Sequence, residues 1–222
     1  AMEYGKPRQR RSWLILGIAA LALLSVAGQI VGLYTDWLWF NEVRFTSVFA
    51  TAVQTQVLLG LVTGTAFFLI LYGNVALARR LAQRKVLVPV GAAAGPGPEI
   101  LQPYLRRLTF SAAVLIAVIV GWLGTDRWEL VLKALNPTPF GVRDPLFDQD
   151  VAFYVFHLPL WNSLYYWLMG SLAVTSLAVA ALYFSAGAIQ TLPRRILISR
   201  WARGHLLVLA ALVLCLKAAG YR

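Results

Sequence analysis

The chain has 222 residues, 59% of them hydrophobic and only 13% charged, with a mean hydropathy of +0.69. Soluble domains carry about a quarter charged residues, so this composition excludes a surface that faces water all round. The net charge of +11 does not read as a nucleic-acid footprint, because the basic residues fall in short clusters between long apolar runs.

Residues 12–35, 45–78, 108–125 and 151–192 contain no Asp, Glu, Lys or Arg. A helix needs about 20 apolar residues to cross a hydrocarbon layer roughly 30 Å thick. The strands of a membrane barrel would be about 10 residues long with alternating polarity, and these runs are longer and uniformly apolar. The expectation is an all-α, multi-pass transmembrane helical bundle forming one domain over residues 1–222. Its five spans are read at 13–33, 48–72, 109–124, 160–186 and 205–219. Residues 1–11, 73–107 and 187–204 together hold 14 Lys/Arg against 6 elsewhere, whereas seven of the nine acids lie in the remainder. Lys and Arg stay on the cytoplasmic side. That places the N-terminus in the cytoplasm, residue 222 outside, and the chain in the cell membrane.

Span 1 carries Gly28 and Gly32, and span 2 carries Gly60 and Gly64. Both are G-x-x-x-G pairs, which let helix backbones approach closely, within one chain or between copies; oligomeric state stays open. Between these spans lies an aromatic loop with Trp37, Trp39, Phe40 and Phe45, of the kind enriched at membrane interfaces. Asp36, Trp37 and Trp39, with Trp128 further on, are candidates for an outer-surface interaction with a protein partner. Gln29, Gln54 and Gln56 sit towards the outer ends of the first two spans and suit interhelical hydrogen bonds or, alternatively, a polar path. The next loop opens with Arg79, Arg80, Arg84 and Lys85. The simpler reading of this cluster is a topology signal; the other is contact with anionic lipids on the cytoplasmic side. Residues 90–98, VGAAAGPGP, read as a flexible linker.

The loop at 125–159 has the strongest local patterning. Asp126 and Glu129 have the spacing of a capping box, and Trp128, Val131, Leu132 and Leu135 then share one helical face. Asn136-Pro137 ends that helix. A second short helix is predicted from Asp148 towards Leu158, with Val151, Tyr154, Val155 and Leu158 on one face; such helices lie in the interface or pack on the spans. Asp144, Asp148 and Asp150 are weak candidates for a metal site, because they lack the alternating spacing and glycine of a calcium loop. His157 and His205 are the only histidines and fall on opposite sides in this topology, so they do not share a metal. No H-E-x-x-H or G-x-S-x-G occurs, and Cys215 is the single cysteine. No cofactor and no enzymatic activity are expected.

Two strings go further than composition. Residues 34–42, YTDWLWFNE, with Thr46-Ser47-Val48-Phe49, and residues 140–159, FGVRDPLFDQDVAFYVFHLP, resemble the outer loops of the bacterial membrane proteins called uncharacterised protein family 0182. His205-Leu206 and residues 216–221, LKAAGY, are similar too. The resemblance covers essentially the whole chain. It implies an N-terminal piece of a longer protein with further spans and a large extracytoplasmic region, and it supplies no activity or catalytic residue. No formal charge lies at mid-span, where charged groups usually mark function. The reading is an integral membrane anchor or scaffold of a larger cell-envelope protein or assembly; the alternative is a component of a transporter or channel.

Overall fold

The computed structural model describes residues 7–83, 98–192 and 195–221. It is mostly helical, and its contacts divide it into two units, residues 1–54 and 55–222. The linker expected at 90–98 lies outside the described residues apart from Pro98.

In the first unit, helix α1 (Pro7–Glu42) takes up most of what the sequence suggested would be an aromatic loop. The connection to α2 (Thr46–Gln83) is a single tight turn. Arg44 adopts φ +62°. The Phe45 N–H donates to the Phe40 carbonyl at 2.9 Å and the Arg44 N–H to the Asn41 carbonyl at 3.2 Å. This paired pattern is the Schellman ending, which satisfies helix carbonyls that would otherwise be orphaned. Tyr34 stacks on Trp37, and Phe40 sits between Trp39 and Phe49, with ring centroids 4.9 and 5.7 Å away.

In the second unit, α2 continues beside α3 (Pro98–Thr125), α5 (Leu158–Ser185) and α6 (Arg200–Ala219). Among the described residues four helices are long and apolar enough to cross a membrane: Thr46–Ala82, Pro103–Thr125, Phe153–Ser185 and Arg200–Ala219. All begin before the predicted spans, and the first two also end beyond them. A helix rises about 1.5 Å per residue, so the ends of the longest ones project past the apolar length that sequence reading isolates.

Glycine decides how α2 meets α3. A Cβ built on Gly64 would lie 2.9 Å from the Ala117 carbonyl oxygen, and one on Gly121 would lie 2.7 Å from that of Gly60. One on Gly124 would strike the Thr63 side chain. The Gly60/Gly64 pair is therefore a close intrachain crossing. No atom lies within 4 Å of a Cβ at Gly28 or Gly32, so that pair packs against nothing among the described residues. Below the crossing, Phe67, Leu71 and Val75 of α2 bury against Ala113 and Ala117 of α3, with Trp167 and Leu182 of α5 at the margin. A second cluster joins Ala78 and Ala82 of α2 to Val179 and Tyr183 of α5 and to Ala202 and Leu209 of α6.

Three local expectations need correction. Helix α4 (Trp128–Leu135) forms and ends at Asn136, but its N-cap is Arg127 and no side chain caps it. Glu129 pairs instead with Lys133, one turn on, at 2.8 Å. Within α4 the buried residue is Ala134, while Leu135 of the predicted apolar face is 71% exposed. The second short helix does not start at Asp148 and is not separate: the chain turns helical at Val151, passes through a π-helical turn, Phe153–His157, and runs straight into α5. Pro159 accounts for the wide turn. It has no N–H, and its ring crowds the carbonyl four residues back, so the Leu158 N–H bonds five residues back to Phe153.

The last correction concerns residues 187–204, read as a plain basic loop. They contain an antiparallel hairpin, β1 (Ile189–Leu192) and β2 (Arg195–Ile198), with Ile189 opposite Ile198 and Gln190 opposite Leu197. Its ends are fixed by helix chemistry. Gly187 has φ +69°, and the Ala188 N–H reaches the Tyr183 carbonyl at 2.9 Å, so α5 stops in a second Schellman ending. The Ser199 N–H returns to the Ala188 carbonyl at 2.9 Å, and the Ser199 hydroxyl accepts the Ala202 N–H, capping α6.

Gly121→Leu should force α2 and α3 apart and lower stability by about 1–3 kcal/mol, the usual cost of overpacking. Gly28→Leu should leave the unfolding temperature in detergent unchanged. Equal effects of the two substitutions would contradict the assignment of the crossing.

Candidate functional site

Two polar constellations stand out in a chain otherwise built of apolar contacts. The first is internal and joins α2, α5 and α6. The Tyr183 hydroxyl lies 2.9 Å from His205 Nδ1, and His205 Nε2 lies 3.1 Å from Asn74 Oδ1. Tyr183 is fully buried and His205 is 8% exposed. The proton positions follow from the ends of the chain. Asn74 Nδ2 donates to the Ile70 carbonyl at 2.7 Å, so its Oδ1 faces the imidazole and can only accept. In the neutral ring Nε2 then carries the proton, and Nδ1 accepts from the Tyr183 hydroxyl. A neutral histidine thus satisfies both neighbours, and no atom of the chain of bonds is left over. Burying such groups without partners would be costly.

The local sequence explains why the three meet. On α2, Asn74 lies next to the buried stripe Phe67, Leu71, Val75, Ala78 and Ala82. On α5, Ser171, Thr175, Val179 and Tyr183 recur every fourth residue and are all buried. On α6, Ala202, His205 and Leu209 form the buried face. The sequence singles out His205 as one of two histidines and in the His205-Leu206 resemblance, and it assigns no role to Asn74. The available signal was a polar residue set in a helical apolar stripe. Nothing in a single sequence pairs it with residues more than a hundred positions away. The atoms His157 Nδ1, Trp167 Nε1 and Thr175 Oγ1 are buried without a hydrogen-bond partner among the described residues.

The second constellation is the segment between α4 and α5, where the expected acid cluster sits. Asp150 accepts N–H groups from Ala152, Gly141 and Phe140 at 2.8, 3.0 and 3.1 Å. Asp144 accepts the Phe147 N–H at 2.9 Å and the Tyr154 hydroxyl at 3.0 Å. Asp148, at φ +52°, pairs with Arg143 at 2.9 Å, both largely exposed. Backbone bonds from Asp144 N–H to the Gln149 carbonyl and from Val151 N–H to the Val142 carbonyl close a small hairpin around them. The three carboxylates thus hold three different parts of the loop, and among the described residues no three His, Cys, Asp or Glu side chains gather as a metal site. Backbone N–H groups, that of Ala152 foremost, hold the Asp150 carboxyl below its ordinary range. The apolar side chains beside it are presented outward: Leu146 is 78% exposed and Phe147 65%.

Of the remaining candidates, Asp36, Trp37 and Trp39 lie exposed on the last turns of α1 and Trp128 is half-buried at the start of α4. Gln29 and Gln54 are exposed and Gln56 is half-buried.

Tyr183→Phe should strand His205 Nδ1 and lower stability by about 1–3 kcal/mol, seen as a fall in unfolding temperature; no change would mean the bond contributes nothing. For Asp150 the lowered carboxyl value sets the sign: its stabilisation is fully present above the unfolded value, about 3.9, and disappears as the pH falls through the lower folded value. Hydrogen-exchange protection of the Phe140, Gly141 and Ala152 amides should therefore be flat from neutral pH down to about 5 and collapse only below the ordinary carboxylate range. Asp150→Ala should abolish it at every pH.

The uncharacterised protein family model, UPF0182, matches residues 13–222. A UPF0182 protein of Pelotomaculum thermopropionicum is 34% identical over 97% of this chain and 25% of its own length. Those of Rhodococcus erythropolis and Saccharopolyspora erythraea are 32% and 34% identical over 96% of this chain and 22% of theirs. The chain thus spans about a quarter of the length of these relatives. No solved structure matches it. With a family match over nearly every residue, the chain belongs to the uncharacterised protein family UPF0182.

Proposed function

We propose that this chain is a membrane-embedded scaffold, a five-span bundle in the cell membrane that anchors a larger envelope protein or assembly. The first span is α1, added to the four long apolar helices. The N-terminus lies in the cytoplasm and residue 222 outside. The bilayer is the partner of the exposed apolar helix faces, and further protein meets the loops.

The observation that carries this reading is how the helices are fixed. A glycine crossing locks α2 to α3, and a fully partnered Asn–His–Tyr chain locks α2 to α5 and α6. Closely packed helices with every polar group of that chain satisfied suit a rigid support better than a moving gate. The ordered α4–α5 loop, pinned by Asp144 and Asp150, presents Leu146 and Phe147 away from the bundle. It is suited to contact with another protein. A second reading, a transporter or channel component, draws on one observation: buried polar residues between spans often mark a substrate or proton path.

The test separates these. With Cys215 replaced, Gln9→Cys, Gly95→Cys and Thr191→Cys should resist a membrane-impermeant thiol reagent in intact cells, whereas Asn41→Cys and Gln149→Cys should react. Labelling of Gly95→Cys but not Gln149→Cys would invert the orientation. The purified chain in liposomes should show no ion flux above empty vesicles, and flux abolished by Asn74→Leu or Gln56→Leu would favour the transport reading.

A further inference from the structure

A cluster of arginines lies where α2 ends and α3 begins. The Arg79 guanidinium donates to the Leu105 carbonyl at 3.2 Å. That bond holds it against the residue just before Arg106 and Arg107, and Arg79 and Arg106 are close enough to interact electrostatically. Arg80, Arg106 and Arg107 are exposed. Among the described residues no carboxylate pairs with any of the four; the ion pairs found there are Lys133–Glu129 and Arg143–Asp148. Guanidiniums gathered at one place repel each other, and an anion that joins them relieves that repulsion.

What lies beside the charges identifies the anion. Tyr72 is two turns before Arg79 on α2, and Phe110 is one turn after Arg106 on α3. These two rings meet edge to face at 5.3 Å, and Phe68 stacks on Tyr72 at 5.3 Å and meets Phe110 at 5.8 Å. Because α2 and α3 run antiparallel, both residue series lead from basic to aromatic in the same direction, towards the glycine crossing. Phe110 is 45% exposed and Tyr104 68%. A free phosphate or an acidic peptide would use the arginines alone. A molecule with an anionic head continuous with an apolar tail would use both parts.

We propose that this end of the α2–α3 pair is a binding site for an anionic phospholipid, its phosphate held between Arg79 and Arg106 and its acyl chain lying along Phe110 and Tyr72. Arg80 and Arg107 flank the headgroup. This deepens the membrane-embedded reading and rests on it. The site also gives the basic cluster a role beyond topology, because headgroup occupancy cancels the repulsion that opposes close approach of the two helix ends.

The experiment is native mass spectrometry of the purified chain in detergent, titrated with phosphatidylglycerol or phosphatidylcholine. Phosphatidylglycerol should bind more tightly, by about fivefold for each guanidinium engaged, and Arg79→Gln with Arg106→Gln should reduce it to the phosphatidylcholine level. Arg106→Gln alone, which leaves the Arg79 bond to Leu105 intact, should give an intermediate loss and covers the case in which the double variant does not fold. Lys133→Gln should change nothing. Equal binding of the two lipids, or undiminished binding by the arginine variants, would overturn the proposal. So would displacement by inorganic phosphate at matched concentration, which would indicate a free-anion site, or preferential binding of an acidic peptide. Resistance of the chain to carbonate extraction from membranes is measured alongside. Extraction would remove the membrane reading itself, whereas retention without lipid preference removes only this site.

Discussion

Helix α2 has to pack against two different sets of neighbours along its length, and the rest of the second unit depends on how it does so. Towards its start the contact with α3 is backbone on backbone, possible only because Gly60, Gly64, Gly121 and Gly124 present no side chains. Further along, larger residues open the spacing: Phe67, Leu71 and Val75 fill the space between α3 and α5. At its far end alanines return, and Ala78 and Ala82 let α5 and α6 close in. This graded change in residue size makes the helix a wedge.

Polar groups in such a setting are few, and their satisfaction is local and complete where they matter. Asn74, His205 and Tyr183 form a line in which each donor has one acceptor. Substituting any one of them leaves an unmatched atom in an apolar interior, which makes the arrangement all-or-none. In the α4–α5 segment, the same rule takes another form. Carboxylates there replace a missing strand or helix as acceptors for backbone N–H groups. Asp150 alone serves three. An irregular loop thereby holds its shape without a hydrophobic core, and apolar residues such as Leu146 and Phe147 can remain outside.

The distribution of charge follows a related logic. Every acid lies at or before Asp150, so the four arginines of residues 194–203 have no nearby carboxylate in sequence. The hairpin between α5 and α6 has two strands. In the proposed topology it rests at the cytoplasmic headgroup level, with Ile196 and Ile198 exposed beside Arg200 and Arg203.

The helical class, the long apolar runs and the specific string around Asp144 and Asp150 could all be read from the sequence, because each depends on residues close along the chain. Helix period, charge-free length and a helix stop at Asn136 are local properties. The glycine pair at Gly60 and Gly64 also announced a close approach, but not its partner, and the identical spacing at Gly28 and Gly32 meets nothing among the described residues. The capping box at Asp126 and Glu129 had the right spacing and failed, since Lys133 offered Glu129 an opposite charge one turn away. The hairpin after Gly187 escaped notice because four-residue strands carry too little alternation to stand out beside a basic cluster. The Asn74–His205–Tyr183 line and the Arg79–Arg106 cluster were decided by tertiary structure alone. Their members are separated by up to 131 and 27 positions, and only the packing of helices determines which faces of α2 meet which neighbours.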